Sequence, residues 1–170
     1  MDHLERARDV RLAIFDVDGV LTDGTIYIGA QGEAFKAFDI QDGHGVKMLQ
    51  AAGIATAIIS GRSSEAVTRR AQELSIEHVV QGSPDKVASL EALLAKVGLE
   101  ARQCAFVGDD LPDLAVMQRC GYAVAVANAV DAVKEAAHYV TRSHGGRGAV
   151  REVCELLLRS QGKPGAAKAP

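Results

Sequence analysis

Asp16 and Asp18 stand two residues apart at the end of a short apolar run, Leu12 to Phe15. Residues two apart on a strand face the same way, so the two carboxylates can address one site. By themselves they suit a solvated loop or a helix cap as well as a reactive centre. Their surroundings tip the balance. Ser60-Gly61-Arg62 follows the run Ala55 to Ile59, Lys86 follows His78 to Gln81, and Gly108-Asp109-Asp110-Leu111-Pro112-Asp113 follows Cys104 to Val107. Each of these runs ends in groups that bind phosphate or metal, an order that scattered surface polar residues rarely produce.

The chemistry such groups suit is phosphoryl transfer. Carboxylates without a Cys or His ligand motif make a hard oxygen site of the kind Mg2+ prefers. Lys86, the Ser60 hydroxyl and backbone amides would reverse the negative field and stabilise charge on a transferring phosphoryl group. Asp16, right at the strand end and so the most rigidly placed, is the natural nucleophile, and an aspartyl phosphate would split hydrolysis into two easier steps. Asp18, further into the loop, is placed to protonate the leaving oxygen and later to take a proton from water.

To hold these groups the chain needs a sheet. Short β-branched apolar runs alternate with stretches of helical period, the pattern of an α/β domain whose central parallel sheet carries helices on both faces. Open sheets of this kind bind ligands at the carboxyl ends of their strands. The expected strands are Leu12 to Phe15, Ala55 to Ile59, His78 to Gln81, Cys104 to Val107, Tyr122 to Val126 and Tyr139 to Thr141. The expected helices are His44 to Ala52, Ser63 to Leu74, Lys86 to Val97, Leu111 to Cys120, Val130 to Ala136 and Gly148 to Ser160. Ser63 and Asp85 are candidate N-caps, and Gly53 and Gly98 stand where left-handed C-terminal caps belong. Thr25 to Ile28 and Glu33 to Phe38 read as a β-hairpin inserted after the first strand. Its Ile26, Tyr27, Ile28, Phe35 and Phe38 need cover, from the same domain or from identical subunits.

At 170 residues the chain is sized for a single domain, residues 1–161, followed by a disordered tail from Gly162 to Pro170. Hydrophobic residues make up 48% and charged residues 24%, the balance of a soluble globular protein. A net charge of -3, only 4% aromatic residues and no Trp give no reason to expect nucleic acid or an anionic membrane as partner. Cys104, Cys120 and Cys154 are odd in number, lack metal-ligand spacing and read as small core residues. The start, Met1 to Arg11, holds no signal-like apolar run, and no stretch of some 20 apolar residues occurs elsewhere. A cytoplasmic location is expected.

The ordered set Asp16-Val-Asp-Gly-Val-Leu-Thr, Ser60, Lys86 and Gly108-Asp109-Asp110 resembles the four motifs of the haloacid dehalogenase superfamily, over nearly the whole chain. The resemblance implies a Rossmann-like fold with Asp16 as nucleophile. It implies Asp18 as acid/base that lends its backbone carbonyl to Mg2+, Asp109 as the remaining direct metal ligand, and Asp110 and Asp113 as supports of the metal shell. Dehalogenases of the superfamily lack the second aspartate, so Asp18 points to phosphate esters. Only about 40 residues separate Asp18 from Ser60, too few for the hairpin, a helix and a cap domain as well. An open site needs a macromolecular substrate or walls from a neighbour.

Longer stretches, Asp16 through Gly24, Asp42-Gly43-His44-Gly45, Ser60-Gly61-Arg62 and Gly145-Gly-Arg-Gly-Ala-Val-Arg-Glu, resemble the capless branch of 3-deoxy-D-manno-octulosonate 8-phosphate phosphatases. That branch implies a homotetramer in lipopolysaccharide precursor synthesis, with Asp39, Ile40, Gln41, Asp42, Gly43, Lys47, Arg62, Arg70 and Lys86 lining the substrate site. It also implies a C-terminal segment that reaches over an adjacent active site, although Gly145-Gly-Arg-Gly by its residues could equally cradle an anion at a helix N-terminus. The alternative is a phosphatase of nine-carbon, sialic-acid-like phosphates. A non-catalytic scaffold relative is more distant, since no motif carboxylate or lysine is missing.

Overall fold

Residues 3–165 are described by the structure, a computed structural model. Its centre is β1 (Leu12–Phe15), an apolar run buried along its whole length. Beside it lie β4 (Ala55–Ile59) and β6 (Cys104–Gly108), then β7 (Tyr122–Ala125). Parallel strands covered on both faces read as continuous apolar runs, which is why these segments are legible from sequence. Half-buried edges are formed by β5 (His78–Val80) and β8 (Tyr139–Val140). All pairings in the sheet are parallel, in the order β5-β4-β1-β6-β7-β8.

The chain leaves β1 toward β4 and β5, then crosses back to β6, β7 and β8, so the winding reverses between β1 and β6. With right-handed crossovers, reversal puts the helices that connect β5 through β8 on the opposite face. One layer joins α1 (His3–Arg8), α2 (Ile40–Ala51) and α7 (Ala149–Ser160), which pack on one another. The second contains α4 (Lys86–Val97), α5 (Leu114–Arg119) and α6 (Asp131–Ala136) in successive contact, while α3 (Glu65–Glu73) bridges β4 and β5. Cys104, Cys120 and Cys154 are all free and buried, and burial pushes the Cys104 thiol up to about 12. Among the described residues no helix is long and apolar enough to cross a membrane.

Several boundaries differ from the sequence expectation for local reasons. Helix α2 begins at Ile40 rather than His44, because the Asp39 carboxylate accepts hydrogen bonds from the amides of Gln41 (2.7 Å) and Asp42 (3.0 Å). Its first turns carry Gly43 and Gly45, poor helix formers, and a side chain at Gly45 would crowd the Arg151 backbone on α7. Ser63 does not cap α3. Ser64 takes that position, and its hydroxyl donates to Glu33 instead of accepting from the helix. The segment expected as one helix from Leu111 opens as a 3-10 turn, Leu111–Asp113, before α5. Asp85 and Gly98 do bound α4, the latter in a left-handed conformation. The short α1 had no apolar stripe to reveal it, with Ala7 its buried residue.

The hairpin consists of β2 (Tyr27–Gly29) and β3 (Gly32–Phe35), shorter than expected and with an irregular register between Tyr27 and Ile28. Tyr27 and Phe35 stack at 4.4 Å. Ile28 and Phe35 remain 70% and 55% exposed within one chain, while Phe38 packs on the core. Of the tail, 162–165 turn back on α7 through the Gly162 and Lys163 amides, and 166–170 lie outside the described residues.

Helix α7 starts at Gly148 without a side-chain cap of its own. The cap comes from α2: the buried Asp42 carboxylate accepts the amides of Arg151 (2.8 Å) and Gly148 (3.4 Å). Loss of a cap typically costs 0.5–2 kcal/mol. Asp42→Ala is therefore expected to lower the unfolding free energy by about 1–2 kcal/mol, read from the denaturant midpoint at unchanged slope. An unchanged midpoint would remove Asp42 as the tie between the two helices.

Candidate active site

The winding reversal leaves a crevice beyond the carboxyl ends of β1 and β6, the place where open α/β sheets bind ligands. Asp16 continues β1, with its amide donating to Val107 O of β6 at 3.0 Å. Asp109 and Asp110 follow β6 directly. Ser60 follows β4 and is tied to β5 by its amide donating to Val80 O at 2.9 Å. Lys86 opens α4, where the Asp85 carboxylate accepts the Val87 (2.9 Å) and Ala88 (3.1 Å) amides. These elements bring Asp16, Asp18, Ser60, Arg62, Lys86, Asp109, Asp110 and Asp113 to one cleft of about 290 Å3.

At its floor Lys86 Nζ lies 2.9 Å from Asp16 Oδ1 and 2.7 Å from Asp113 Oδ1. Asp113 is 1% exposed, and its other oxygen accepts the amides of Asp109 (2.9 Å) and Asp110 (3.3 Å). Asp113 thus orients both Lys86 and the Asp109 loop. Asp110, also at the cleft, caps the 3-10 turn by accepting from the Leu111 amide at 2.8 Å. Burial would lower the Lys86 ammonium value, but Asp16 and Asp113 outweigh it and hold it above the ordinary one.

Ligand oxygens of Asp16, Asp109 and Asp113 lie within 4.8 Å of one another. Burial, then the Asp113 charge, raise Asp16 to about 6 against the pull of Lys86. Burial, then Asp16, Asp113 and Asp110, raise Asp109 to about 8. One buried ammonium cannot neutralise so many carboxylates. The all-oxygen donor set and its surplus negative charge fit a hard divalent cation, with Asp16 and Asp109 facing it and Asp113 holding them in place. Gly19 permits this closeness: its φ is +87°, and a Cβ there would run into the Asp109 carboxylate.

Asp18 is in the cleft, but its side chain turns away from this cluster. Lys36 Nζ donates to Asp18 Oδ1 at 2.6 Å, and Arg62 Nε lies 3.7 Å from Asp18 Oδ2. Both cations also reach Glu33, at 3.0 Å from Lys36 and 3.3 Å from Arg62. Lys36 and Glu33 went unnoticed in the sequence because a lysine and a glutamate on a hairpin read as solvated. Asn128 was missed as well. It donates to Gly19 O at 3.0 Å and accepts the Gly145 amide at 2.6 Å, tying the loop after β1 to the Gly145 segment.

Other expected substrate residues do not line this cleft within the chain. Asp39 and Asp42 serve as helix caps, and Gly43 adjoins the Arg70 guanidinium. Arg70 pairs with Glu73 at 2.8 Å, Lys47 donates to Ser75 at 2.9 Å, and Ile40 and Gln41 are exposed. Nor does the Gly145 segment offer an open anion cradle, because Gly146 donates to Val20 O and the Asp42 carboxylate occupies the start of α7.

Comparison with known proteins decides the lineage. The chain is 49% identical to the 3-deoxy-D-manno-octulosonate 8-phosphate phosphatase of Yersinia pestis over 162 residues, 95% of this chain and 87% of that protein. It is 47% identical to the phosphatase of the same name from Escherichia coli strain K12, covering 98% and 89% of the two chains. The profile of haloacid dehalogenase-like hydrolases matches residues 75–153. The chain belongs to the haloacid dehalogenase-like hydrolase family. A crystal structure of the Moraxella catarrhalis 3-deoxy-D-manno-octulosonate 8-phosphate phosphatase, in complex with magnesium ion, phosphate ion and KDO, superposes with a TM-score of 0.92 at 45% identity, covering 94% of this chain and 92% of that one. For a haloacid dehalogenase-like hydrolase the carboxylate cluster sits at the expected end of the sheet, and the six-stranded parallel sheet is that of its relatives.

A pH dependence follows from the cluster. Both Asp16 and Asp109 lie above the ordinary carboxylate value of 3.8 in the ion-free fold. The stability they contribute without an ion is therefore present at low pH and lost as pH rises through about 6 and about 8. A divalent cation bound between them would hold both ionised. The thermal midpoint gain on adding Mg2+ should accordingly grow across that window, with protons released on binding near neutrality. A gain independent of pH would contradict the shared carboxylate site.

Proposed function

We propose that the chain is a Mg2+-dependent phosphatase that hydrolyses 3-deoxy-D-manno-octulosonate 8-phosphate to the free sugar acid and phosphate, in the cytoplasmic synthesis of lipopolysaccharide precursor. Residues 1–161 form its catalytic domain. The observation that carries this reading is the Asp16 carboxylate, held by Lys86 at 2.9 Å at the floor of the β1–β6 crevice with Asp109 beside it. The level of identity to phosphatases of that name supports it.

Bound at Asp16, Asp109 and the Asp18 backbone carbonyl, Mg2+ supplies charge that offsets repulsion between the carboxylates and an incoming phosphate. Asp16 attacks phosphorus, the ester P–O bond breaks, and Asp18 gives its proton to the departing sugar oxygen. Lys86 and the Ser60 hydroxyl contact the transferring group and stabilise its spread charge. Asp18 then takes a proton from water, whose oxygen attacks phosphorus and frees Asp16. Lys86 also keeps Asp16 ionised, as a nucleophile must be.

The cleft of about 290 Å3 is at or below the lower end of ligand pockets, about 300–1,000 Å3, and is open. An eight-carbon sugar acid needs more wall than one chain offers. Exposed Ile28 and Phe35 on the hairpin provide an apolar surface for association, and a homotetramer would let Asp39, Ile40, Gln41, Lys47 and Arg70 line a neighbour's cleft, while Asp42 and Gly43 are buried behind them. Arg62 stands at the rim of its own. Such arginines and lysines suit the carboxylate of a doubly anionic substrate.

Asp16→Asn should abolish turnover while retaining the fold by circular dichroism, and a chelator should do so reversibly. Across a panel of phosphorylated sugars with Mg2+, the eight-carbon sugar acid phosphate should give the highest kcat/KM. Equal rates on hexose phosphates would sink the substrate assignment, faster hydrolysis of a nine-carbon acid would move it, and a fully active monomer in light scattering would contradict the borrowed walls.

A further inference from the structure

The mechanism needs Asp18 in a defined direction, yet Asp18 sits on a loop and nothing in the Lys86 cluster holds its side chain. The hairpin supplies the restraint. Lys36, directly after β3, has a side chain only 2% exposed, and its ammonium lies between Asp18 Oδ1 (2.6 Å) and Glu33 Oε2 (3.0 Å). Lysines are rarely so buried unless paired, and here both partners are carboxylates. Glu33 is itself fixed by the Ser64 hydroxyl and by Arg62. The first of these contacts holds its carboxylate below the ordinary range. A chain of contacts therefore runs from the start of α3 through Glu33 and Lys36 to Asp18.

We propose that Lys36 is a positioning residue for Asp18, which sets where the proton-transferring carboxyl sits relative to the ester oxygen and so makes hairpin docking a requirement for leaving-group departure. Lys36 touches neither the phosphate site nor the nucleophile in this arrangement: Lys86, not Lys36, pairs with Asp16. A lysine whose only role was to pin the hairpin would affect every substrate alike. A lysine that directs Asp18 affects only those whose leaving oxygen needs a proton. The inference rests on the phosphatase reading and adds to it a residue outside the four motifs.

The test compares two esters. The sugar alkoxide of 3-deoxy-D-manno-octulosonate 8-phosphate is a poor leaving group that needs protonation, whereas p-nitrophenolate departs without it. In rapid-mixing experiments with Mg2+, Lys36→Met should slow the first release of sugar acid by about a hundredfold, the order expected for losing a general acid. The p-nitrophenol burst should change less than about threefold, and KM for the sugar ester should stay near that of the unaltered enzyme. Lys36→Arg should restore most of the sugar ester rate. Lys36→Gln, which keeps a donor in the slot, should shift the ratio of the two rates the same way and serves if the methionine variant does not fold. Equal losses on both esters, or no loss on either, would overturn the positioning role while leaving the phosphatase reading intact. Absence of turnover by the unaltered enzyme on both esters would overturn that reading, and the inference with it.

Discussion

One buried ammonium faces more carboxylates than it can neutralise. Lys86 holds Asp16 and Asp113 at 2.9 and 2.7 Å, and Asp109 stands beside them with no ion-pair partner among the described residues. Buried charge is tolerated only when paired and hydrogen-bonded, so this imbalance dictates much of the surrounding structure. The reversal of winding at β1 and β6 brings the acids together, the Asp85 cap fixes Lys86 on the first turn of α4, and the 3-10 turn aims Asp113 at both Lys86 and two backbone amides. What remains uncompensated is the affinity for a divalent cation and, with it, for a phosphate.

A second arrangement surrounds the first. Asp18, two residues from Asp16, is held by charges from the hairpin and the loop after β4, not by the floor of the site. Asn128 and the Gly145 segment brace the same loop from the other side. Asp16 thus rests on the rigid sheet, while Asp18 rests on elements that lack a hydrophobic cover within one chain, as the exposed Ile28 and Phe35 indicate. Association at the hairpin and proton transfer at Asp18 would then depend on the same short strands.

How far the sequence spoke depended on whether a feature was local. Strands β1 and β4 and helix α4 were legible to the residue, the strands because burial on both faces leaves an unbroken apolar run and the helix because Asp85 and Gly98 mark its ends. The first turn of α2 was hidden by Gly43 and Gly45, whose value lies in a close crossing with α7 that only the fold reveals. The gathering of Asp16, Ser60, Lys86 and Asp109 was foreseeable from strand ends. Lys36 was not, since its partner lies 18 residues away across a turn and no periodicity marks the pair. Asp42 shows the converse, an acid read as a substrate contact whose oxygens are engaged by α7 in this chain.

The central claim is that Asp16 accepts the phosphoryl group, and its most direct measurement is capture of the adduct. Enzyme, Mg2+ and sugar acid phosphate are mixed, quenched in acid within the first turnover and digested, and the peptides are weighed. The account predicts a phosphoryl mass on the peptide containing Asp16, removed by hydroxylamine as an acyl phosphate must be. Burst release of the sugar acid with no modified peptide, or with the phosphoryl group on another residue, would contradict it.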